Sequence, residues 1–282
     1  MKHNALSLVI PTYNEEENIA ELISRIHATL APKNITYELI IIDDRSSEKT
    51  QKVVTALTQK YFIRFFTKRG QQGKAESLLE GFALAKYDVI GMIDADLQYP
   101  PEAIPDMLTK LHHADIVVGS RRYEQKFSPR AFVSRAFSFF FVQLLNGITI
   151  DAQSGLKIFK KVVYERLVSH LAPTPWTFDL EFLKKSLHAG YVIDSVAIDF
   201  AKRTAGKSKM SVLKGSFEIG LSAIKLRLSE SSPIHFHHKS TKKGFHYKGH
   251  PFSPYADHPL EKSALKPVSK KQLFFMASLV CF

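Results

Sequence analysis

The stretch "DVIGMIDADLQYPPEAIPDMLTKLHH", residues 88–113, is the part of the sequence that best indicates the fold class. It begins with a short apolar run that ends in three acceptor-rich side chains, Asp94, Asp96 and Gln98. Prolines follow, and because proline suits the first turn of a helix, the second half is predicted to be helical. A buried strand, a polar turn and a helix together form the repeating unit of a parallel α/β sheet.

The same unit recurs along the chain. Predicted strands, separated by helical patterns, are "LSLVIPTYN", "YELIIIDDRSS", "IRFFTK", "DVIGMIDADL" and "ADIVVGSR". We therefore predict an α/β fold with a mostly parallel central sheet and helices on both faces. Ligands of such sheets bind beyond the carboxyl ends of the strands. Polar clusters fall at those ends, at Thr12 to Glu15, Asp43 to Ser46, Asp94 to Gln98 and Ser120 to Arg122.

The cluster of Asp94, Asp96 and Gln98 predicts a metal site. Alternate residues of an extended segment point to one side, so the three side chains converge if extension persists past the strand end. Oxygen ligands suit Mg²⁺ or Mn²⁺, which also bind substrate phosphates. An Asp-x-Asp sequence often occurs by chance as a solvated strand end. The matching clusters at neighbouring strand ends favour the functional interpretation.

The other clusters have weaker individual signals. One of Asp43 and Asp44 is predicted to bind ligand and the other to order the loop before the next helix. Tyr13 can stack on a base, although a turn with an acidic helix start explains the same residues. Lys74 follows the glycine-rich "GQQG" and is a candidate phosphate contact at the start of a helix.

The balance of charge indicates an anionic partner. Lys and Arg total 39 against 27 Asp and Glu, for a formal net charge of +12. Arginine binds phosphate as a fork and lysine as a point charge, and a solvated basic surface is the alternative. Candidate phosphate-binding cations after the fifth strand are Arg121, Arg122, Arg130, Arg135, Arg203 and Lys207.

Composition divides the chain into three parts. Residues 1–228 form the predicted domain, 229–271 a basic polar linker or tail, and 272–282 an apolar end. That end is too short to span a bilayer, and we expect it to be the start of a transmembrane segment of a longer protein. We expect no signal peptide, and the lone Cys281 fits a reducing compartment.

Taken in order, these motifs resemble family 2 glycosyltransferases with the GT-A fold, a Rossmann-like fold for nucleotide-diphospho-sugar transferases. The resemblance is to the group of dolichol-phosphate mannose synthases and bacterial polyprenyl-phosphate glycosyltransferases. It spans about Leu6 to Leu228. It depends on "IPTYNEEENI", "IIIDDRSSEKT", "GQQGKAESLLEGFALA", "DADLQYPPE", "VVGSRRY", "DAQSGLKIF", "FDLEF" and "RTAGKSKMS". The only tryptophan is Trp176, so the Gln-x-x-Arg-Trp signature of processive synthases is missing, which favours a single transfer.

The resemblance implies roles for individual residues. Catalytic roles fall to Asp94, Asp96, Gln98 and Arg121, with Asp96 and Gln98 as ligands of Mg²⁺ or Mn²⁺. Residues implied in binding the donor nucleotide and its phosphates are Pro11, Tyr13, Glu15, Asp43, Asp44, Lys74, Asp94, Ala95, Arg203 and Lys207. Residues implied on the acceptor side are Arg121, Arg130, Arg135, Ser154 and Glu181. Whether Arg121 or Arg122 corresponds to the single family arginine stays open.

The implied reaction is an inverting transfer of one sugar from a nucleotide diphosphate sugar, of the GDP-mannose or UDP-hexose type, to a polyprenyl phosphate. A phosphomonoester with a second pKa of about 6 is already ionised, so no strong base is required. The expected location is the cytoplasmic face of a membrane, with "FVSRAFSFFFVQLL" and "VLKGSFEIGLSAIKLRL" on an anionic surface or buried in the core. We expect no nucleic acid partner.

Two alternatives remain at this stage. The same fold could act on a saccharide or protein acceptor, which would require a carboxylate base such as Asp179 or Glu181. A module that binds nucleotide at a membrane without catalysis is the other alternative. The intact "DADLQ" speaks against that second alternative.

Overall fold

The structure is a computed structural model that describes residues 5–122, 150–171 and 177–201. Its strands are β1 (Ala5–Thr12), β2 (Thr36–Asp43), β3 (Ile63–Thr67), β4 (Val89–Met92), β5 (Ile116–Arg121), β6 (Lys157–Lys160) and β7 (Ile193–Ile198). Its helices are α1 (Ile19–Leu30), α2 (Glu48–Leu57), α3 (Lys74–Ala83), α4 (Ile104–Lys110), α5 (Lys161–Leu167) and α6 (Phe178–His188). Short 3-10 turns cover Ala31–Lys33, Pro101–Ala103 and Val168–His170.

The strands form one sheet in the order β3-β2-β1-β4-β6-β5-β7. All neighbouring pairs are parallel except those of β6, which runs antiparallel to β4 and β5. The mostly parallel sheet predicted from the sequence is thereby confirmed. Because β6 lies between β4 and β5, its first residue, Lys157, pairs with Met92 on one side and Val118 on the other.

Apolar side chains on the two faces of the sheet build two cores, as strand geometry requires. On one face Leu8 of β1 and Ile41 of β2 pack with helices α1, α2 and α4. On the other face Val9 and Ile40 pack with α3, α5 and α6. The helices therefore cover both faces of the sheet. The polar clusters named in the sequence lie at the carboxyl ends of the strands.

One predicted strand is shorter than expected. The prediction extended β4 to Leu97, whereas the strand ends at Met92. Leu97 has a φ of 62°, in the left-handed region, so the backbone turns inside "DADLQ" instead of remaining extended. The condition for a linear row of Asp94, Asp96 and Gln98 is not met, and that part of the prediction was wrong.

Candidate active site

The candidate site lies at the carboxyl ends of β1, β2, β4 and β5, and this end of the sheet is called its edge below. Thr12, the last residue of β1, lies beside Asp43, the last residue of β2. Met92 at the end of β4 lies beside Lys157. Because β6 is antiparallel, the residues that precede it, including Gly155, reach the same edge. The sheet thus brings together polar clusters that are far apart in the sequence.

The loops after β1 and β2 are joined by reciprocal hydrogen bonds. The Asn14 amide donates to Ser46 Oγ at 2.8 Å, and the Ser47 amide donates to Asn14 Oδ1 at 2.8 Å. Asn14 has a φ of 54°, a left-handed conformation that asparagine tolerates better than most residues. Tyr13 beside it is 43% exposed, which suits the predicted stacking on a base.

Two other residues of the predicted donor site flank Tyr13. Pro11 is half-buried in β1 and pairs with Ile42. Glu15 is half-buried, and its carboxylate accepts a hydrogen bond from Asn18 Nδ2 at 2.9 Å. Their roles in binding the nucleotide stay predictions.

Asp43 orders the loop after β2. Its side chain is fully buried, and it accepts hydrogen bonds from Thr12 Oγ1 at 3.1 Å and from the Ser46 amide at 2.9 Å. This is the loop-ordering role that the sequence predicted for one of the two aspartates. A direct contact of Asp43 with nucleotide stays a prediction, and its burial favours the structural role.

Asp44 belongs to a small polar cluster with a lysine that the sequence analysis missed. Lys68 Nζ lies 2.7 Å from Asp44 Oδ1 and donates to the Gly73 carbonyl at 2.9 Å. The Gly73 amide in turn donates to Asp44 Oδ2 at 2.9 Å. This cluster fixes the backbone immediately before Lys74, at the start of α3.

Asp94 and Lys74 form an ion pair at the centre of the edge. Lys74 Nζ lies 2.5 Å from Asp94 Oδ1, and the side chains are 39% and 26% exposed. Burial raises the pKa of Asp94 and outweighs the opposing effect of Lys74. Burial lowers the pKa of Lys74, but the carboxylates of Asp94 and Asp179 outweigh it and raise that pKa. The lysine is therefore held as a cation among carboxylates.

Gly155 fixes the position of Asp94. A Cβ atom on Gly155 would lie 2.1 Å from Asp94 Oδ2 and 2.8 Å from Tyr99 Cε2, so any side chain there would displace Asp94 or Tyr99. Tyr99 is 4% exposed, and its ring packs edge-on against Phe200 at 5.0 Å between centroids. Burial and the Asp94 charge raise the pKa of Tyr99. Asp94 is thus held between Lys74 and the backbone before β6.

Asp96 and Gln98 lie on either side of the left-handed Leu97. Asp96 is 7% exposed, and its Oδ1 accepts a hydrogen bond from the Gln98 amide at 3.2 Å. Ala95, between the two aspartates, is 4% exposed. Burial is the main cause of the raised pKa of Asp94, and the charge of Asp96 adds to it.

Gln98 also ties this turn to the residues after β7. Gln98 Nε2 donates to the Ala201 carbonyl at 3.2 Å, and the Ala201 amide donates to the Gln98 carbonyl at 3.0 Å. A metal would be bound by the side-chain oxygen of Gln98, and these bonds orient that side chain through its nitrogen. Its predicted role as a ligand stays a prediction.

The structure distinguishes the two neighbouring arginines. Arg121 is bound as a fork by Asp151, with Nε at 2.6 Å from Oδ2 and Nη2 at 2.9 Å from Oδ1. Its guanidinium also lies over the Phe200 ring, 5.2 Å from the centroid. Arg122 pairs instead with Asp199 at 3.3 Å, and both of those side chains are largely exposed. The greater burial of Arg121 favours it as the arginine of the candidate site, and that role stays a prediction.

The predicted acceptor residues Ser154 and Glu181 are both buried. Ser154 is fully buried, and its hydroxyl donates to the Gly119 carbonyl at 2.6 Å, so it orders the backbone and does not line an open surface. Glu181 is 6% exposed, and its Oε1 lies 2.5 Å from Lys185 Nζ. The expectation that Ser154 contacts the acceptor is not supported by this geometry.

Lys157 is a second lysine that the sequence analysis missed. It is fully buried, and its Nζ donates to the Ser154 carbonyl and lies 2.5 Å from Asp179 Oδ1. Burial lowers the pKa of Lys157, and the pairing with Asp179 opposes that shift. A lysine inside the apolar "GLKIF" was the available signal, because a buried lysine requires a partner.

The oxygen donors at this edge fit a hard divalent cation. Asp94 and Asp96 supply carboxylates, and Mg²⁺ is usually held by one or two carboxylates together with substrate phosphates. In the part of the chain that the structure describes, no group of three or more His, Cys, Asp or Glu residues could hold a metal ion. Likewise, none of the described helices is long and apolar enough to cross a membrane.

Several predictions fall outside residues 5–122, 150–171 and 177–201. The predicted phosphate contacts there are Arg130, Arg135, Arg203 and Lys207. The two predicted membrane-facing stretches, the basic tail and the apolar end lie there as well. All of these stay predictions.

The fold defines the class of protein. Glucosyl-3-phosphoglycerate synthase from Mycobacterium tuberculosis, in a crystal structure with Mn²⁺ and uridine-diphosphate-glucose, superposes with a TM-score of 0.63. The alignment covers 80% of this chain and 79% of that chain at 18% identity. At that identity the likeness concerns the fold alone, which is the GT-A fold of glycosyltransferases.

Sequence comparison gives the family. The profile described as glycosyl transferase family 2 matches residues 7–168, more than half of the 282 residues. The chain therefore belongs to glycosyl transferase family 2, as the motifs predicted.

Individual relatives show which members of the family this chain is similar to. Dolichol-phosphate mannosyltransferase from Pyrococcus furiosus is 38% identical over 117 residues, which are 41% of this chain and 33% of the relative. The protein of the same name from Saccharomyces cerevisiae is 35% identical over 117 residues, 41% of this chain and 44% of the relative. An uncharacterized glycosyltransferase from Synechocystis is 38% identical over 122 residues, 43% of this chain and 38% of the relative. Each match spans less than half of the relative's length.

Proposed function

We propose that this chain transfers one hexose from a nucleotide diphosphate sugar to a polyprenyl phosphate, with Mg²⁺ or Mn²⁺, at the cytoplasmic face of a membrane. The similarity to proteins named dolichol-phosphate mannosyltransferase supports the lipid phosphate acceptor. The net charge of +12 suits anionic lipids and substrates. The donor is of the GDP-mannose or UDP-hexose type.

The observation that carries this proposal is that both candidate bases are held by lysines. Lys157 Nζ lies 2.5 Å from Asp179, and Lys185 Nζ lies 2.5 Å from Glu181. An acceptor hydroxyl must lose its proton to a base, and at each candidate base one carboxylate oxygen already accepts a hydrogen bond from a lysine. A phosphate monoester, with a second pKa of about 6, arrives already ionised and needs no such base. The site therefore suits a phosphate acceptor better than a saccharide.

In the proposed reaction an acceptor phosphate oxygen attacks the anomeric carbon and forms the new bond. The bond from that carbon to the donor diphosphate breaks, and its electron pair leaves with the nucleotide diphosphate. Asp94, Asp96 and the side-chain oxygen of Gln98 would hold the cation, which supplies charge neutralisation to the leaving diphosphate. Arg121, held by Asp151, would orient the acceptor phosphate.

A comparison of acceptors tests the proposal. The full chain is incubated with Mn²⁺ and a panel of GDP and UDP sugars. The acceptors are a short polyprenyl phosphate, the matching polyprenol without phosphate, and soluble saccharides. We expect transfer to the lipid phosphate only, and loss of transfer with EDTA. Transfer to polyprenol or to a saccharide would contradict the assignment of a phosphate acceptor.

Asp96→Asn tests whether the carboxylate is catalytic. The change keeps the shape of the side chain but removes its charge, so we expect transfer to fall about 100-fold or more. Asp106→Asn, at an exposed position in the first turn of α4, is the matched control and should retain activity. Unchanged transfer by the Asp96 variant would contradict a catalytic role for this carboxylate.

A further inference from the structure

Lys74 is paired with the carboxylate of Asp94, which is one of the proposed metal ligands. Its ammonium lies 2.5 Å from Asp94 Oδ1, a distance typical of a direct charge-assisted hydrogen bond. A cation bound at Asp94 Oδ1 would therefore compete with the ammonium group. Of the acceptors near Lys74, Asp94 is the one to which it is joined by both charge and hydrogen bonding.

Asp94 cannot easily move away from this contact. The position of a Cβ on Gly155 would be only 2.1 Å from Asp94 Oδ2, so the carboxylate is pressed against the backbone before β6. On the other side the Ile93 amide donates to the Val9 carbonyl at 3.1 Å and fixes the main chain just before Asp94. Lys74, whose ammonium is at the end of a long side chain, is therefore the partner better able to move when Asp94 exchanges its contact.

The backbone before Lys74 is anchored by hydrogen bonds, and the Lys74 side chain is partly exposed. The preceding residue, Gly73, donates to Asp44 Oδ2 and accepts from Lys68 Nζ, each at 2.9 Å. The Lys74 side chain is 39% exposed, and its four-carbon stem lets the ammonium move while the backbone stays fixed. Lys74 can thus leave Asp94 without any rearrangement of the loop.

We propose that Lys74 is an internal counter-ion that holds Asp94 before the donor binds and moves to the donor diphosphate when the donor arrives. The proposal rests on the proposed function, because it concerns the same donor and metal site. It adds that Lys74 lowers the affinity of the free protein for metal, and that donor and metal therefore bind cooperatively. The coupling is reciprocal, so metal strengthens donor binding by the same factor.

Mn²⁺ binding to the full chain, measured by electron paramagnetic resonance at about 0.15 M salt to screen distant charges, tests the proposal. Wild type is compared with Lys74→Gln, in which the charge is lost, and Lys74→Arg, in which it is kept. We expect Lys74→Gln to bind Mn²⁺ about tenfold more tightly than wild type without nucleotide. Lys74→Arg should stay close to wild type. Lys52→Gln, an exposed lysine on α2, is the control for loss of one positive charge.

The same titrations with UDP and with GDP measure the coupling. In wild type the better-bound nucleotide diphosphate should raise Mn²⁺ affinity, and this increase should be several-fold smaller in Lys74→Gln. Equal Mn²⁺ affinity of the free wild type and Lys74→Gln would overturn the inference while leaving the metal site intact. Failure of wild type to bind Mn²⁺, with or without nucleotide, would instead overturn the metal dependence of the proposed function, and the inference with it.

Discussion

Gly155 determines where the Asp94 carboxylate can lie, because the absence of a side chain at residue 155 leaves room for it. A methyl group at this position would collide with Asp94 Oδ2 and with the ring of Tyr99. Both of these side chains are on the turn after β4, while Gly155 precedes β6. The requirement for glycine is therefore a property of the folded site and not of the local backbone.

We expect Gly155→Ala to displace Asp94 and to lower the transfer rate about 100-fold. A displacement of a catalytic group by about 1 Å lowers reaction rates by about that factor. Mn²⁺ affinity should fall in the same variant. Gly119→Ala is the matched control, since its methyl group would meet the side-chain carbons of Leu156 and Ile198 at 3.2 and 3.3 Å. Comparable losses in both variants, measured by transfer rate and thermal melting, would contradict the specific role of Gly155.

The sequence predicted site residues whose side chains have an obvious ligand-binding chemistry. Asp94 and Lys74 were predicted to bind the donor and Asp96 to bind the metal, and the structure brings Asp94 and Lys74 into contact. The partners of such residues were not predicted. Lys68 and Lys157 contact residues that lie far away in the sequence, as Lys157 does with Asp179. No local pattern reports such contacts, because they depend on the order of the strands.

The turn after β4 depends on the residues that follow β7 for its position. Gln98 and Ala201 are joined by hydrogen bonds of 3.2 and 3.0 Å, and the ring of Phe200 packs against Tyr99. The backbone turns at Leu97, and Gln98 lies beside Ala201, which follows β7. The prediction of a longer strand relied on local apolar character and could not include this partner.

Substitutions at Gln98 separate its bond to Ala201 from its proposed contact with metal. Gln98→Leu removes both the amide donor and the oxygen ligand, whereas Gln98→Glu removes the donor and keeps an oxygen. We expect transfer to fall about tenfold in Gln98→Glu, the equivalent of one lost hydrogen bond, and to fall further in Gln98→Leu, which also loses the oxygen ligand. Mn²⁺ affinity should fall only in Gln98→Leu. If Gln98→Glu were fully active, the bond to Ala201 would have no role in catalysis.

Glu38, near the amino end of β2, joins several strands at the end of the sheet opposite the candidate site. Its side chain is fully buried and accepts hydrogen bonds from Ser7 Oγ at 2.6 Å and from the Lys86 amide at 2.8 Å. Arg64 Nη1 on β3 donates to the other oxygen at 3.0 Å. Burial raises the pKa of Glu38, but these donors outweigh it, and the net effect is a lowered pKa.

This lowered pKa predicts how stability depends on pH. The contribution of Glu38 is present above its pKa in the unfolded chain, about 4.3, and is lost as the pH falls through the lower folded pKa. We expect Glu38→Gln to reduce the free energy of unfolding by about 2 kcal/mol near neutral pH, with a smaller difference in acid. Urea unfolding at several pH values measures it.

Glu48→Gln is the control for this experiment. Glu48 is 85% exposed in its pair with Lys52, and its loss should change stability little at any pH. A difference between wild type and Glu38→Gln that did not shrink in acid would contradict the lowered pKa.

The architecture of the whole sheet was largely predictable, and the position of β6 was not. Alternating strands and helices identified β1 to β5 and the edge where their polar ends meet. The strand that separates β4 from β5 comes from residues 157–160, well after β5 in the chain. Apolar character marks "KIF" as buried, but neither its direction nor its neighbours follow from its sequence.

The late arrival of β6 has a consequence for the growth of the chain during synthesis. When residues up to the end of β5 have emerged, β4 and β5 have no hydrogen bonds between them, because β6 must be inserted first. Gly155, Lys157 and Asp179 emerge later still, so Asp94 lacks its rigid support until then. The nascent chain can therefore complete the half-sheet of β1 to β4 early, whereas the sugar-transfer site is assembled only when α6 has been made.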